Sequence, residues 1–136
     1  MKKVMVFGVF DGVHEGHRHL FREAKQAGDY LITAVAPDEV AADLKGRLPE
    51  LPLKERLVLV EQEEAVDLAA TGDFETGTWA VVKKYRPAAV VFGYDQAAAE
   101  NDFRAALLEF DWPVEVKTAT AFEAEKYHTS LLQRKV

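Results

Sequence analysis

Short apolar runs ended by glycine or proline alternate along this chain with stretches whose apolar residues recur at helical spacing. Lys3–Phe7 is such a run, closed by Gly8, and predicts a first strand. His17–Ala27 follows with apolar positions at Leu20, Phe21, Ala24 and Ala27 before Gly28, the stripe and stop signal of a helix. Tyr30–Ala36 reads as a second strand stopped by Pro37, and residues 38–52, with Gly46, Pro49 and Pro52, read as irregular. Leu53–Glu63 resumes helical spacing at Leu53, Leu57 and Val60. Ala65–Ala70 is a weak third strand, Thr76–Tyr85 a helix, and Ala88–Phe92 an uninterrupted apolar run suited to a central strand. Asn101–Phe110 has Phe103, Leu107 and Phe110 on one helical face, Val114–Lys117 is a last strand, and a short helix is expected from Thr129.

Strands separated by helices imply an α/β fold: a parallel five-stranded sheet with helices on both faces. In such sheets ligands bind beyond the carboxyl ends of strands, near the point where strand order reverses. The segments after Phe7, Ala36 and Phe92 are therefore where chemistry is expected. The chain has 136 residues, 49% hydrophobic and 29% charged, which suits one globular domain spanning 1–136. No apolar run approaches the roughly 18 residues of a membrane span, and no leader-like start is present, so no membrane partner and a cytoplasmic location are expected. Cysteine is absent, which removes disulfides and thiolate metal sites. The net charge of −6 argues against a nucleic-acid partner and requires that any anion site be built locally.

The first turn carries a concentration of chemistry. Gly8-Val9-Phe10-Asp11-Gly12-Val13-His14-Glu15-Gly16-His17 holds three glycines and two histidines between the first strand and the first helix. Glycines let backbone N–H groups approach a ligand, and a helix start offers free N–H groups and the positive end of the dipole. Two imidazoles there can donate to phosphate oxygens as charge builds in a transition state. The histidines are three apart with Gly16 between, unlike the two ligands four apart of H-E-x-x-H zinc sites. The glycines do not spell a dinucleotide fingerprint either.

This turn resembles the signature of the H-x-G-H nucleotidyltransferase superfamily, whose cytidylyltransferase-like members carry G-x-F-D-x-x-H-x-G-H after strand one. Gly8, Phe10, Asp11, His14, Gly16 and His17 match every defined position. The resemblance covers essentially the whole chain and implies a Rossmann-like sheet. It also implies transfer of a nucleotidyl group from an NTP to a phosphorylated small-molecule acceptor, with pyrophosphate released. Lys45-Gly46-Arg47-Leu48-Pro49, Phe92-Gly93-Tyr94-Asp95-Gln96 and Tyr127-His128-Thr129-Ser130 are similar to the K-G-R-x-P, G-P-D-Q-like and F-H-S-S-like segments of archaeal-type FAD synthetases. That makes FMN adenylyltransferase the favoured reading, with ATP as the NTP. Glycerol-3-phosphate cytidylyltransferase, using CTP, is the alternative. Its G-D-D-W loop and its arginine in the R-T-E-G-I-S-T-T run are not matched here, and Glu64 stands where its second helix has an arginine. A non-catalytic nucleotide-binding protein on the same fold is a third possibility, against which the intact histidine pair argues.

By this resemblance His14, His17 and Lys45 are catalytic. Gly8, Phe10, Asp11, Gly16, Gly93, Asp95, Thr129 and Ser130 bind the nucleotide, the last two holding the leaving pyrophosphate. Arg47 and Arg56 clamp phosphates of acceptor and NTP. Lys45 and Arg47 are expected on a mobile loop that closes on phosphate. Mg²⁺ is expected to arrive with the NTP, and relatives suggest a homodimer. Trp79, Val82, Phe103, Leu107 and Phe110 read as core, and Glu61, Glu63 and Glu64 as a solvated acidic face.

Overall fold

A computed structural model of the chain describes residues 1–122, so the helix expected from Thr129 lies outside the described residues. Five strands form one all-parallel sheet: β1 (Lys3–Gly8), β2 (Tyr30–Val35), β3 (Leu68–Thr71), β4 (Ala89–Phe92) and β5 (Glu115–Thr118), in the order β3-β2-β1-β4-β5. The helices are α1 (Glu15–Gln26), α2 (Asp38–Lys45), α3 (Leu53–Glu61), α4 (Ala80–Tyr85) and α5 (Ala97–Ala105), with a 3₁₀ turn at Leu107–Glu109. Among the described residues no helix is long and apolar enough to cross a membrane.

The alternation of β1 sorts its side chains between two cores. Val4 and Val6 join Leu20, Phe21 and Ala24 of α1 and Val60 of α3 on one face. Met5 and Phe7 join Val81, Val82 and Phe103 of α4 and α5 on the other. Helices therefore cover both faces, as a buried parallel sheet requires. β1 pairs with β2 over its full length, from Lys3 opposite Tyr30 to Gly8 opposite Val35. It pairs with β4 only at Val4–Ala89 and Met5–Val90. The two central strands thus part toward their carboxyl ends, where the strand order reverses.

Residues 38–52 are not irregular throughout. Asp38–Lys45 is helical, with Asp38 and Glu39 in its first turn, Lys45 in its last, and Gly46 closing it at φ +79°. Acidic residues at the start, a cation at the end and a left-handed glycine stop are the charges and cap a helix favours. The fourth helix begins at Ala80 rather than Thr76, because Gly77 and Trp79 both take positive φ. Asp73 then accepts the Val81 N–H at 2.8 Å. The fifth starts at Ala97, four residues before the expected Asn101, and gives way to the 3₁₀ turn before Phe110.

Candidate functional site

The chain leaves β1 at Gly8 and bends sharply. Phe10 takes φ +55° and turns its ring back beneath Gly8, so close that a Cβ on Gly8 would lie 2.6 Å from it. The ring is buried against Phe21 and meets the His17 imidazole edge to face at 5.0 Å. Phe10, expected to touch nucleotide, is only 2% exposed and instead forms the floor under the turn. Its unfavourable backbone angle is held by that burial.

His14 caps α1. Its Nδ1 accepts the Gly16 N–H at 3.1 Å, while Nδ1 of His17 accepts the His14 N–H at 3.2 Å. The two rings stack at 3.8 Å with 25° between their planes. Gly16 permits this, since a Cβ there would sit 2.9 Å from the His14 ring. A neutral imidazole that accepts at Nδ1 carries its proton on Nε2. Each ring therefore offers an Nε2–H that is unused among the described residues. Burial, aided by the neighbouring His14 imidazole and the Lys45 cation, lowers the His17 pKa from 6.5 to about 4, against the opposing pull of Asp95 and Glu63. His17 is thus a neutral donor near pH 7, and Lys45 and Asp95 both lie within its electrostatic reach.

Three polar side chains fix the loops around this turn by seizing backbone groups. Both Asp11 oxygens accept N–H groups, from Glu50 at 2.8 Å and Leu51 at 2.9 Å. Those bonds hold its pKa below the ordinary carboxylate value, with Arg56 and Arg47 adding to the effect. Asp11, expected on the nucleotide, is committed to the segment after α2. Arg56 is fully buried. Its guanidinium donates to the carbonyls of Leu51 (2.9 Å), Val9 (2.8 Å) and Ala36 (2.7 Å) and pairs with Asp38 at 2.5 Å. The expected acceptor clamp at Arg56 is therefore corrected: a guanidinium sealed among three carbonyls orients the site and does not meet solvent. The third is Gln96, to which the sequence attached no role. Its Oε1 accepts the Gly93 N–H at 2.7 Å and its amide donates to the Phe7 carbonyl at 3.0 Å, bridging β1 and β4 where their pairing has ended. Gly93 leaves room for the turn, since a Cβ there would fall 2.9 Å from Asp95.

Lys45 ends α2 rather than riding a loose loop, and the following segment is tied down by Asp11 and Arg56. Arg47 is exposed, 3.9 Å from Glu50. Glu63 is not a solvated surface charge: it takes a two-pronged bond from Arg18, at 2.8 and 3.2 Å, that joins the turn after α3 to α1. That pairing, with Glu15, raises the Arg18 pKa further. Thr129 and Ser130 lie outside the described residues.

A profile described as Cytidylyltransferase-like matches residues 5–135. A protein named FAD synthase from Thermoplasma volcanium is 29% identical over 136 residues, covering 100% of this chain and 94% of its own. One of the same name from Thermoplasma acidophilum is 32% identical over 136 residues, with the same coverage. Among solved structures, one titled as the lipopolysaccharide core biosynthesis protein from Thermoplasma volcanium superposes with a TM-score of 0.81 at 30% identity, covering 90% of this chain and 98% of that one.

Proposed function

The chain belongs to the cytidylyltransferase-like family and is a nucleotidyltransferase, and we propose that it transfers AMP from ATP to FMN, giving FAD and pyrophosphate. The observation that carries the chemistry is the stacked histidine pair, two imidazole donors fixed side by side at the start of α1. The names of the full-length relatives carry the choice of substrates.

In the proposed reaction an oxygen of the FMN phosphate attacks the α-phosphorus of ATP. The bond from that phosphorus to the bridging oxygen breaks, and pyrophosphate leaves with the electron pair. No covalent enzyme intermediate is needed, so the protein's work is positioning and charge stabilisation. The Nε2–H groups of His14 and His17 donate to phosphate oxygens where charge develops. Being fixed beforehand, they need no reorganisation at the moment of reaction. Lys45 adds a cation on the same side, and Arg47 clamps a phosphate from the segment beyond Gly46. Asp95 and Gly93 meet the nucleoside beyond β4, and Thr129 with Ser130 retains the leaving pyrophosphate.

Among the described residues no group of three or more His, Cys, Asp or Glu could hold a metal ion. Mg²⁺ fits this site as an ion held mainly by triphosphate oxygens and water, where it neutralises phosphate charge. Assembly as a homodimer in the cytoplasm belongs to the same proposal. The exposed Leu44, Leu48 and Val58 supply apolar surface for that assembly, and light scattering tests it.

Pyrophosphate release is the deciding measurement, with ATP plus FMN in one arm and CTP plus glycerol 3-phosphate in the other. Release and FAD in the first arm alone are expected. Release in the second arm alone overturns the choice of substrates, and nucleotide binding without release in either overturns catalysis of both reactions.

A further inference from the structure

β5 ends at Thr118, and the chain then turns back across α1. Ala119 is buried and donates its N–H to the Phe92 carbonyl at 2.8 Å. The next residue is held at three separate atoms. The Thr120 N–H donates to one Glu23 oxygen at 3.0 Å and its hydroxyl donates to the other. His19, one turn earlier on α1, approaches the Thr120 carbonyl with Nε2 at 2.9 Å and the Glu23 carboxylate at 3.1 Å. Ala119 anchors the segment in the core. Thr120 is itself exposed, so its own seat on α1 rests on these polar bonds.

Two residues further on, Phe122 leans on the His19 ring, 5.7 Å between centroids. It reaches Gly16, where a Cβ would lie 4.0 Å from its ring. The His14 imidazole approaches the same Gly16 position. Phe122 is only half-buried there, an aromatic face left beside the paired imidazoles.

We propose that Thr120, gripped by Glu23 and His19, is a positioning residue that seats Phe122 over the start of α1 as an aromatic wall for the flat ring of the acceptor. The acceptor's identity as a flavin rests on the reaction proposed above. Stacking of this kind acts equally on bound substrate and transition state, so its loss raises KM with little change in kcat.

Two measurements on the full chain test this. Steady-state kinetics with ATP and FMN is expected to show KM for FMN about tenfold higher in Phe122→Ala, with kcat and KM for ATP near wild type and Phe122→Tyr restoring the low value. Thr120→Val and Glu23→Gln should raise KM for FMN in the same direction, and Thr120→Val combined with Phe122→Ala should add nothing to Phe122→Ala alone. The second measurement is the NMR shift of the Gly16 amide and α protons, which sit in the ring current of Phe122 and need no substrate. Phe122→Ala should move them, and Thr120→Val should move them the same way. Turnover with an unchanged KM for FMN in Phe122→Ala overturns the wall. Gly16 signals that respond to Phe122→Ala but not to Thr120→Val overturn the positioning role of Thr120. A wild-type protein that does not turn over ATP with FMN overturns the flavin reading and the flavin wall with it, while the Gly16 signals still judge the grip on Phe122.

Discussion

Replacing Arg56 by methionine keeps a long, slender side chain and removes the guanidinium. Four hydrogen bonds go with it: to the carbonyls of Val9, Ala36 and Leu51 and to the Asp38 carboxylate. Removing one member of a buried ion pair costs about 3–5 kcal/mol. Asp38 lowers that figure, because its side chain is 39% exposed and can take up water when its partner is gone. The carbonyls raise it again, since an unsatisfied buried acceptor costs about 1–3 kcal/mol. A loss of about 3–4 kcal/mol is expected, which for a chain of this length is a melting shift of about 10–20 °C. Typical domains are stable by about 5–15 kcal/mol, so the variant should remain folded at room temperature. Urea unfolding followed by far-UV circular dichroism reads the change as a lower midpoint at constant slope. Arg56→Lys retains charge without the fork geometry and should fall between the two proteins. Asp38→Asn, at the wetter end of the network, should cost about 1 kcal/mol. Because the same guanidinium ties the first turn to α2, kcat/KM should fall about 10- to 100-fold in folded Arg56→Met, the scale of a 1 Å misplacement. A variant within 1 kcal/mol of wild type, with unchanged turnover, would refute the view that Arg56 holds the site together.

His17→Ala and His14→Ala should each lower kcat about 10²- to 10³-fold in a pyrophosphate-release assay, the cost of one transition-state donor. His14→Ala should also lose about 1 kcal/mol of stability in urea, because it removes the cap of α1. The His17 pKa in the folded protein, about 4, lies below the ordinary 6.5. The unfolded chain therefore binds the proton more readily between those values, and stability contributed by His17 should fall as pH drops from about 6.5 to about 4 and level off outside that window. His17→Asn should flatten that part of the pH profile of the urea midpoint. The Asp11 carboxylate, whose pKa is lowered, acts in a more acidic range: its contribution is present above the ordinary value of 3.8 and is lost as pH falls through the folded value. Gly8→Ala forces a Cβ to within 2.6 Å of a Phe10 ring that the core already encloses, and should cost about 1–3 kcal/mol in the same unfolding assay.

The sheet was legible because its three central strands, β2, β1 and β4, are mainly apolar runs with their own stop signals, and such runs in alternation with helices leave few topologies open. The first turn was legible for a similar reason: its glycines and histidines are neighbours in sequence and lie within one bend and one helix cap. α2 escaped the periodicity argument because it buries only Ala41 and presents almost no apolar stripe. Its signals were Asp38 and Glu39 at one end and Lys45-Gly46 at the other, and Pro49 and Pro52 nearby pointed toward a loop instead. Glu63 reads as surface in the sequence because its partner, Arg18, lies 45 residues away on α1.

Asp11, Arg56 and Gln96 share a deeper reason for being hard to assign. Most of their partners are main-chain groups, and every residue type except proline carries the same N–H and carbonyl. No side-chain pattern marks Leu51, Val9 or Ala36 as the acceptors of a guanidinium, or Phe7 as the acceptor of an amide. A cation in this family pattern therefore reads as a phosphate clamp, although Arg56 is the largest of the fully buried side chains among the described residues. The physical consequence favours precision at the site. A backbone group bound by a fixed side chain cannot leave by changing rotamer, so the loop that carries it is held as firmly as the side chain. Through Asp11 and Arg56 the segment after Lys45 is joined to the turn that holds His14 and His17, and through Gln96 the Gly93–Asp95 bend is joined to the end of β1. The histidine donors, the lysine and the bend beyond β4 thus share one frame, the preorganisation that charge stabilisation without a covalent intermediate requires.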